Sequence, residues 1–175
     1  KGGDPFIFGR GGEEVEHLRA AGIAVEVVSG ITSGLAAATA IGVPLTHRDH
    51  AQGVVFITGH AKRGGAPTDW RALAATARDT HLTLVIYMGV AGAQQLQDGL
   101  LTALPAHTAV AVVQNASLPT QRSCVTELAQ LAGTLAAEHI ASPAIIVIGE
   151  VARAAVLAGA MADRHTLRAA TVATA

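Results

Sequence analysis

Short apolar blocks alternate with helix-type patterning along most of the chain, and glycine, proline or charged residues bound each block. Glu13 to Ala21 predicts a helix, Ala24 to Val28 a strand, and Thr32 to Ile41 an alanine-rich helix capped by Thr32 or Ser33. Gly42-Val43-Pro44 stops that helix. The polar stretch Thr46 to Gln52 reads as a linker, after which the strand Gly53 to Thr58 opens a second unit. Beyond a loop over Ala61 to Thr68, Asp69 caps a helix reaching about Ala77. Then follow a strand at Leu82 to Met88, a helix at Val90 to Leu104, a strand at Ala109 to Gln114 and a short strand at Arg122 to Thr126. A helix at Leu128 to Glu138 and a strand at Ala144 to Glu150 complete the pattern. Such alternation predicts an α/β fold with a mostly parallel, mixed sheet.

Composition narrows the class. Half of the 175 residues are apolar and 14% are charged, enough to bury one or two small cores. A formal charge of −1 with 3% aromatic residues argues against a nucleic-acid surface, which needs basic stripes and stacking platforms. Cys124 is the single cysteine, so no internal disulfide can form, and a reducing cytoplasm is the simplest setting. The apolar runs at Leu82 to Val90 and Pro143 to Ile148 are too short to span a bilayer and read as buried strands.

The densest chemical signal lies at the start. Gly2-Gly3-Asp4-Pro5-Phe6-Ile7-Phe8-Gly9-Arg10-Gly11-Gly12-Glu13-Glu14 sets five glycines against a helix start. Glycine lets backbone approach a ligand closely, and unpaired N–H groups at a helix start favour an acceptor. Asp4 can accept from sugar hydroxyls, and Glu13 and Glu14 suit a first helical turn. An ordinary glycine-rich turn explains the same residues. Neither a phosphate-loop lysine nor the G-x-G-x-x-G spacing is present, which disfavours a nucleoside triphosphate site.

Taken as a whole string, Gly2 to Glu14 resembles the signature of the uroporphyrinogen-III C-methyltransferases, a branch of the S-adenosylmethionine-dependent tetrapyrrole methylases. The similarity continues through Val27-Val28-Ser29-Gly30-Ile31-Thr32-Ser33, Pro44-Leu45-Thr46-His47-Arg48, Thr58-Gly59-His60, Tyr87-Met88-Gly89, Gln114-Asn115-Ala116-Ser117 and Pro143 to Val151. Ser29 stands where the family usually has proline, and Ala116 where glycine is common. The resemblance implies a tetrapyrrole methylase-like fold, with residues 1–50 closing a first α/β domain and 51–153 forming a complete second one. Residues 154–175 would be a tail or terminal helix. It also implies that the chain is the rear portion of a longer enzyme, inactive alone, and that the enzyme is a cytoplasmic homodimer.

The implied activity is methyl transfer from S-adenosyl-L-methionine to C2 and C7 of uroporphyrinogen III. The products are precorrin-2, on the sirohaem and cobalamin routes, and S-adenosyl-L-homocysteine. Gly2, Gly3, Asp4, Ile7, Thr32, Ser33, Met88 and Ala116 match the cofactor-binding positions. Arg10, Glu13 and Arg48 match positions facing the tetrapyrrole, whose eight carboxylates call for guanidinium partners. No residue of this chain is assigned as the catalytic base. Blander readings stand beside these: Met88 as core, Thr32 and Ser33 as plain caps, Arg10 and Glu13 as a solvated surface pair. His47-Arg48-Asp49-His50 lacks any recognised zinc spacing, so no metal is expected, and His47 is read as bonding backbone. Cys124 reads as a small buried hydrophobe. A methylase acting on another precorrin, or a noncatalytic association module, are the competing functions.

Overall fold

The computed structural model describes residues 1–60 and 64–155. Most of the expected terminal segment, from 156 onward, and positions 61–63 of the expected loop lie outside the described residues.

Two helices precede the sheet: α1 (Gly11–Ala20) and α2 (Ser33–Ala40). The order thereafter is β1 (Gly53–Thr58), α3 (Trp70–Asp79), β2 (Leu82–Tyr87), α4 (Ala93–Leu100), β3 (Ala109–Gln114), β4 (Arg122–Glu127), α5 (Leu131–Ala137) and β5 (Ala144–Ile148). The strands form one five-stranded sheet in the spatial order β1-β2-β5-β3-β4. Asp69 caps α3 as its sequence suggests, its Oδ1 accepting from the Ala72 N–H at 2.9 Å. The helix expected over Val90 to Leu104 is shorter, a 3-10 turn at Val90–Gly92 running into α4.

The sheet is mixed, but its balance differs from the expectation. Only β1 and β2 run parallel; β2 with β5, β5 with β3 and β3 with β4 are antiparallel. Continuous apolar runs are the mark of strands covered on both faces, and parallel sheets are the usual case of that. Here both faces are covered while the neighbours are antiparallel. Leu84, Ile86, Val110, Val112, Ile146 and Ile148 point to the face packed by α3, α4 and α5. The alternate positions Val85, Tyr87, Ala111, Val113, Ile145 and Val147 form a second core with Ala37 of α2 and Val43. The strand period of two thus fills two cores from one sheet. β4 lies at an edge, and its exposed and half-buried positions alternate, which is why its sequence signals a strand only weakly.

The strand expected over Ala24 to Val28 does not form. A strand is defined by its pairing, and none of the five described strands runs beside this segment. Its end is strongly exposed, with Val28 at 75% and nearby Ile31 at 70%.

One buried polar atom stands out. Thr83 is fully buried in β2, and its hydroxyl has no hydrogen-bond partner among the described residues. An orphaned buried hydroxyl costs about 1–3 kcal/mol. Thr83→Val keeps the shape and removes the orphan, so it is expected to stabilise the fold by about 1 kcal/mol. A thermal melt checks this, and a lower melting temperature would contradict it.

Candidate functional site

A cavity of about 560 Å³ opens where the ends of β2 and β3 meet the start of β5, a size typical of small-molecule sites. One wall is the loop before α1. The Gly11 N–H donates to the Pro5 carbonyl at 2.8 Å, and a Cβ at Gly11 would lie 2.4 Å from that oxygen. The loop can close this tightly only because position 11 is glycine. Phe8 and Arg10 take left-handed backbone at φ 53° and 56°. Asp4 ties this loop to the next one: its Oδ1 accepts from the Phe6 N–H at 2.9 Å and its Oδ2 from the Gly30 N–H at 3.1 Å. These donors, Phe6 foremost and then Gly30, hold the Asp4 carboxyl below the usual carboxylate range. The contact between loops is close, since a Cβ at Gly30 would fall 2.1 Å from the Gly3 carbonyl oxygen.

The floor comes from β2 and the start of α2. Thr32 is the N-cap residue of α2, yet its side chain makes no cap bond. Its hydroxyl instead lies 2.7 Å from the Tyr87 hydroxyl, which also accepts from the Gly34 N–H at 2.9 Å. The expected cap is therefore corrected: Thr32 holds the cap position, and Tyr87 supplies the acceptor. Tyr87 is 6% exposed, with Phe8 stacked obliquely at 4.6 Å and Phe56 edge-on at 6.1 Å. The far wall is the loop after β3, in which Asn115 and Ser117 are left-handed at φ 52° and 67°. Met88, at the end of β2, is also left-handed at φ 54° and half exposed. Phe8, Met88, Asn115 and Ser117 all line this one cavity. Left-handed non-glycine residues cost of order 1–3 kcal/mol each and concentrate at ligand sites.

Gly2, Gly3, Asp4, Ile7, Thr32, Ser33, Met88 and Ala116 all line the same cavity, although up to 114 positions separate them in sequence. Half-exposed Met88 faces this space, so the core alternative fails. Arg10 and Glu13 lie apart, on a second cavity of about 320 Å³ with Lys1, Gly9, Glu14 and His17. They bind each other: Arg10 Nε donates to both Glu13 oxygens at 3.1 and 3.0 Å, and Nη2 donates to Oε2. The Glu13 hydrogen bond raises the Arg10 pKa from its ordinary value. A ligand carboxylate reaching Arg10 would have to compete with that pair. Arg48 is exposed in the turn closed by the His47–Ala51 bridge and borders neither of these two cavities.

His47 Nδ1 accepts from the Asp49 N–H at 3.1 Å, and its ring stacks on His50 at 4.6 Å. Among the described residues, no group of three or more His, Cys, Asp or Glu gathers to hold a metal ion. Burial, with Glu138 adding to it, pushes the Cys124 thiol pKa up, away from nucleophilic use. No helix among the described residues is long and apolar enough to cross a membrane. Reading by residue type passed over Tyr87, because tyrosine in an apolar strand signals core; its place directly before Met88 was the available clue.

The model of the tetrapyrrole (corrin/porphyrin) methylases matches residues 1–132. The siroheme synthase of Azotobacter vinelandii is 47% identical over 154 residues, covering 87% of this chain and 32% of its own length. Siroheme synthase 1 of Aeromonas hydrophila subsp. hydrophila is 53% identical over 152 residues, with 86% and 32% covered. The chain thus spans about a third of the length of these curated relatives. Among solved structures, the native uroporphyrin III C-methyl transferase of Thermus thermophilus aligns with a TM-score of 0.74 and 38% identity, covering 87% of this chain and 63% of that one. A form of the Thermus thermophilus enzyme complexed with S-adenyl homocysteine aligns with a TM-score of 0.71 and 38% identity, covering 87% and 65%. With the family model matched over residues 1–132, the chain belongs to the tetrapyrrole (corrin/porphyrin) methylases.

Proposed function

We propose that this chain carries the cofactor cleft of an S-adenosyl-L-methionine-dependent uroporphyrinogen-III C-methyltransferase, which methylates C2 and C7 of uroporphyrinogen III to give precorrin-2. The observation that carries the reading is the convergence of eight residues from four separate segments on one cavity of about 560 Å³. Family membership and the siroheme synthase relatives support it. The domain reading is part of the proposal: residues 1–50 close a first α/β unit, and 51–153 form the second. The exposed apolar residues Phe6, Ile23, Val28 and Ile31 belong to the first of these and support its having further chain packed on it. A homodimer and a cytoplasmic setting complete the reading.

The lining fits the proposed cofactor. It is mostly apolar, with few polar groups set among backbone amides, and the glycines at 2 and 3 leave room for close approach. Gly2, Gly3, Asp4 and Ile7 would hold one side, Thr32 and Ser33 the floor, Met88 and Ala116 the far wall. When bound, S-adenosyl-L-methionine supplies a sulfonium-activated methyl group. The chain's own contribution is positional. Its loops are closed by fixed hydrogen bonds and tight glycine contacts, so the walls are set before a ligand arrives. Alignment of this kind contributes on the order of 7–11 kcal/mol when reacting atoms are held near contact. Met88 and Ile7 present apolar surface that displaces water from the cleft. On the substrate side, Arg10, Glu13 and Arg48 are proposed to meet carboxylates and pyrrole N–H groups.

The test is turnover by the intact protein with uroporphyrinogen III and S-adenosyl-L-methionine, followed by mass spectrometry. The expected product carries two added methyl groups. A protein that binds the cofactor but methylates only a later corrin intermediate would overturn the substrate assignment.

A further inference from the structure

Tyr87 contributes a polar atom to the cavity region, yet its hydroxyl is spent entirely on the chain itself. A backbone N–H can only donate, so the Tyr87 oxygen accepts from Gly34, while its bond to Thr32 Oγ1 joins two hydroxyls, either of which can donate. Both bonds join β2 to the first turn of α2, across more than fifty residues of sequence. Two further amides of the first turn are committed: Leu35 and Ala36 N–H donate to the Thr32 carbonyl at 3.0 and 3.1 Å. The Ser33 N–H is left without a partner among the described residues, at a position that lines the cavity. The packing is matched to this arrangement. A Cβ at Gly34 would sit 2.4 Å from the Tyr87 hydroxyl and 2.8 Å from a Val85 methyl.

We propose that Tyr87 is a positioning residue: its hydroxyl replaces the missing Thr32 cap and thereby sets how Thr32 and Ser33 face the bound cofactor. It does not touch the reacting atoms; it acts through the helix start that it anchors. The inference rests on the cofactor reading above. A merely structural tyrosine would lower stability and leave cofactor affinity alone, whereas a positioning one separates the two.

The experiment uses the intact protein and its Tyr87→Phe variant, which keeps the ring between Phe8 and Phe56 and deletes only the hydroxyl. Titration with S-adenosyl-L-homocysteine is expected to show binding weakened about five- to tenfold, the scale of one lost hydrogen bond. In turnover, KM for S-adenosyl-L-methionine rises by about the same factor while kcat at saturation stays within about twofold. Gly34→Ala, which pushes the hydroxyl away without removing it, is expected to reproduce the KM rise. Tyr87→Phe with unchanged affinity, or with reduced kcat at unchanged KM, would overturn the proposal. An unsubstituted protein that fails to bind S-adenosyl-L-homocysteine would overturn the cofactor reading, and this proposal with it.

Discussion

Gly30→Ala is expected to weaken S-adenosyl-L-homocysteine binding by about a hundredfold or more, converting roughly 3 kcal/mol of strain and displaced loop into lost affinity. The new Cβ would lie 2.1 Å from the Gly3 carbonyl oxygen and 2.9 Å from its carbon. Both are backbone atoms, so no side chain can rotate away. Relief requires the loop carrying Gly2, Gly3 and Asp4 to separate from the segment carrying Ile31 and Thr32, and both segments line the cavity. Separation also stretches the Gly30 N–H bond to Asp4 Oδ2, now 3.1 Å, and releases the carboxylate that holds the two loops together. The requirement at position 30 is steric, since Gly30 is not among the glycines with left-handed backbone. Gly12 makes a fitting control: a Cβ there meets nothing within 4 Å, and it lies in α1 outside the cavity lining. Near-normal binding by Gly30→Ala would show that the two loops move independently of the cleft.

Arg48→Ala is expected to raise KM for uroporphyrinogen III about tenfold or more, with S-adenosyl-L-homocysteine affinity changed less than twofold. A charge-assisted hydrogen bond is worth about 1.5–3 kcal/mol, which corresponds to a factor of ten or more. Arg10, Arg78 and Arg153 each hold a neighbouring carboxylate, from Glu13, Asp79 and Glu150. Arg48 has no such acid among the described residues and stands exposed in a turn shaped by the His47–Ala51 bridge. Its guanidinium is therefore available to a ligand carboxylate without first breaking an internal pair, unlike that of Arg10. Equal loss of tetrapyrrole use and cofactor binding would contradict the substrate role and point instead to damage in the turn.

The strands at Gly53–Thr58 and Ala109–Gln114 were legible to the residue because each is a short apolar run between clear breakers. Their directions were not, because a run covered on both faces has the same composition whether its neighbours are parallel or antiparallel. Ala24 to Val28 shows the opposite failure: its composition is strand-like, but pairing is a property of neighbours, and none is described there. The cavity-lining residues were legible as glycine-rich and small-residue loops, although nothing in their spacing said that positions 2 and 116 share one space. The bonds that set the site were hidden. That Asp4 spends its carboxylate on Phe6 and Gly30, and that Tyr87 caps α2 in place of Thr32, depends on contacts from 2 to 55 residues away. Periodicity reports none of these polar pairs, and the two that involve Gly30 and Tyr87 join residues far apart in sequence.

The most direct measurement is calorimetric titration of S-adenosyl-L-homocysteine into the intact protein. The account predicts saturable one-to-one binding with a negative heat-capacity change, as apolar surface at Ile7 and Met88 is covered. Absence of binding would contradict the assignment of the cavity and, with it, the methyltransferase reading.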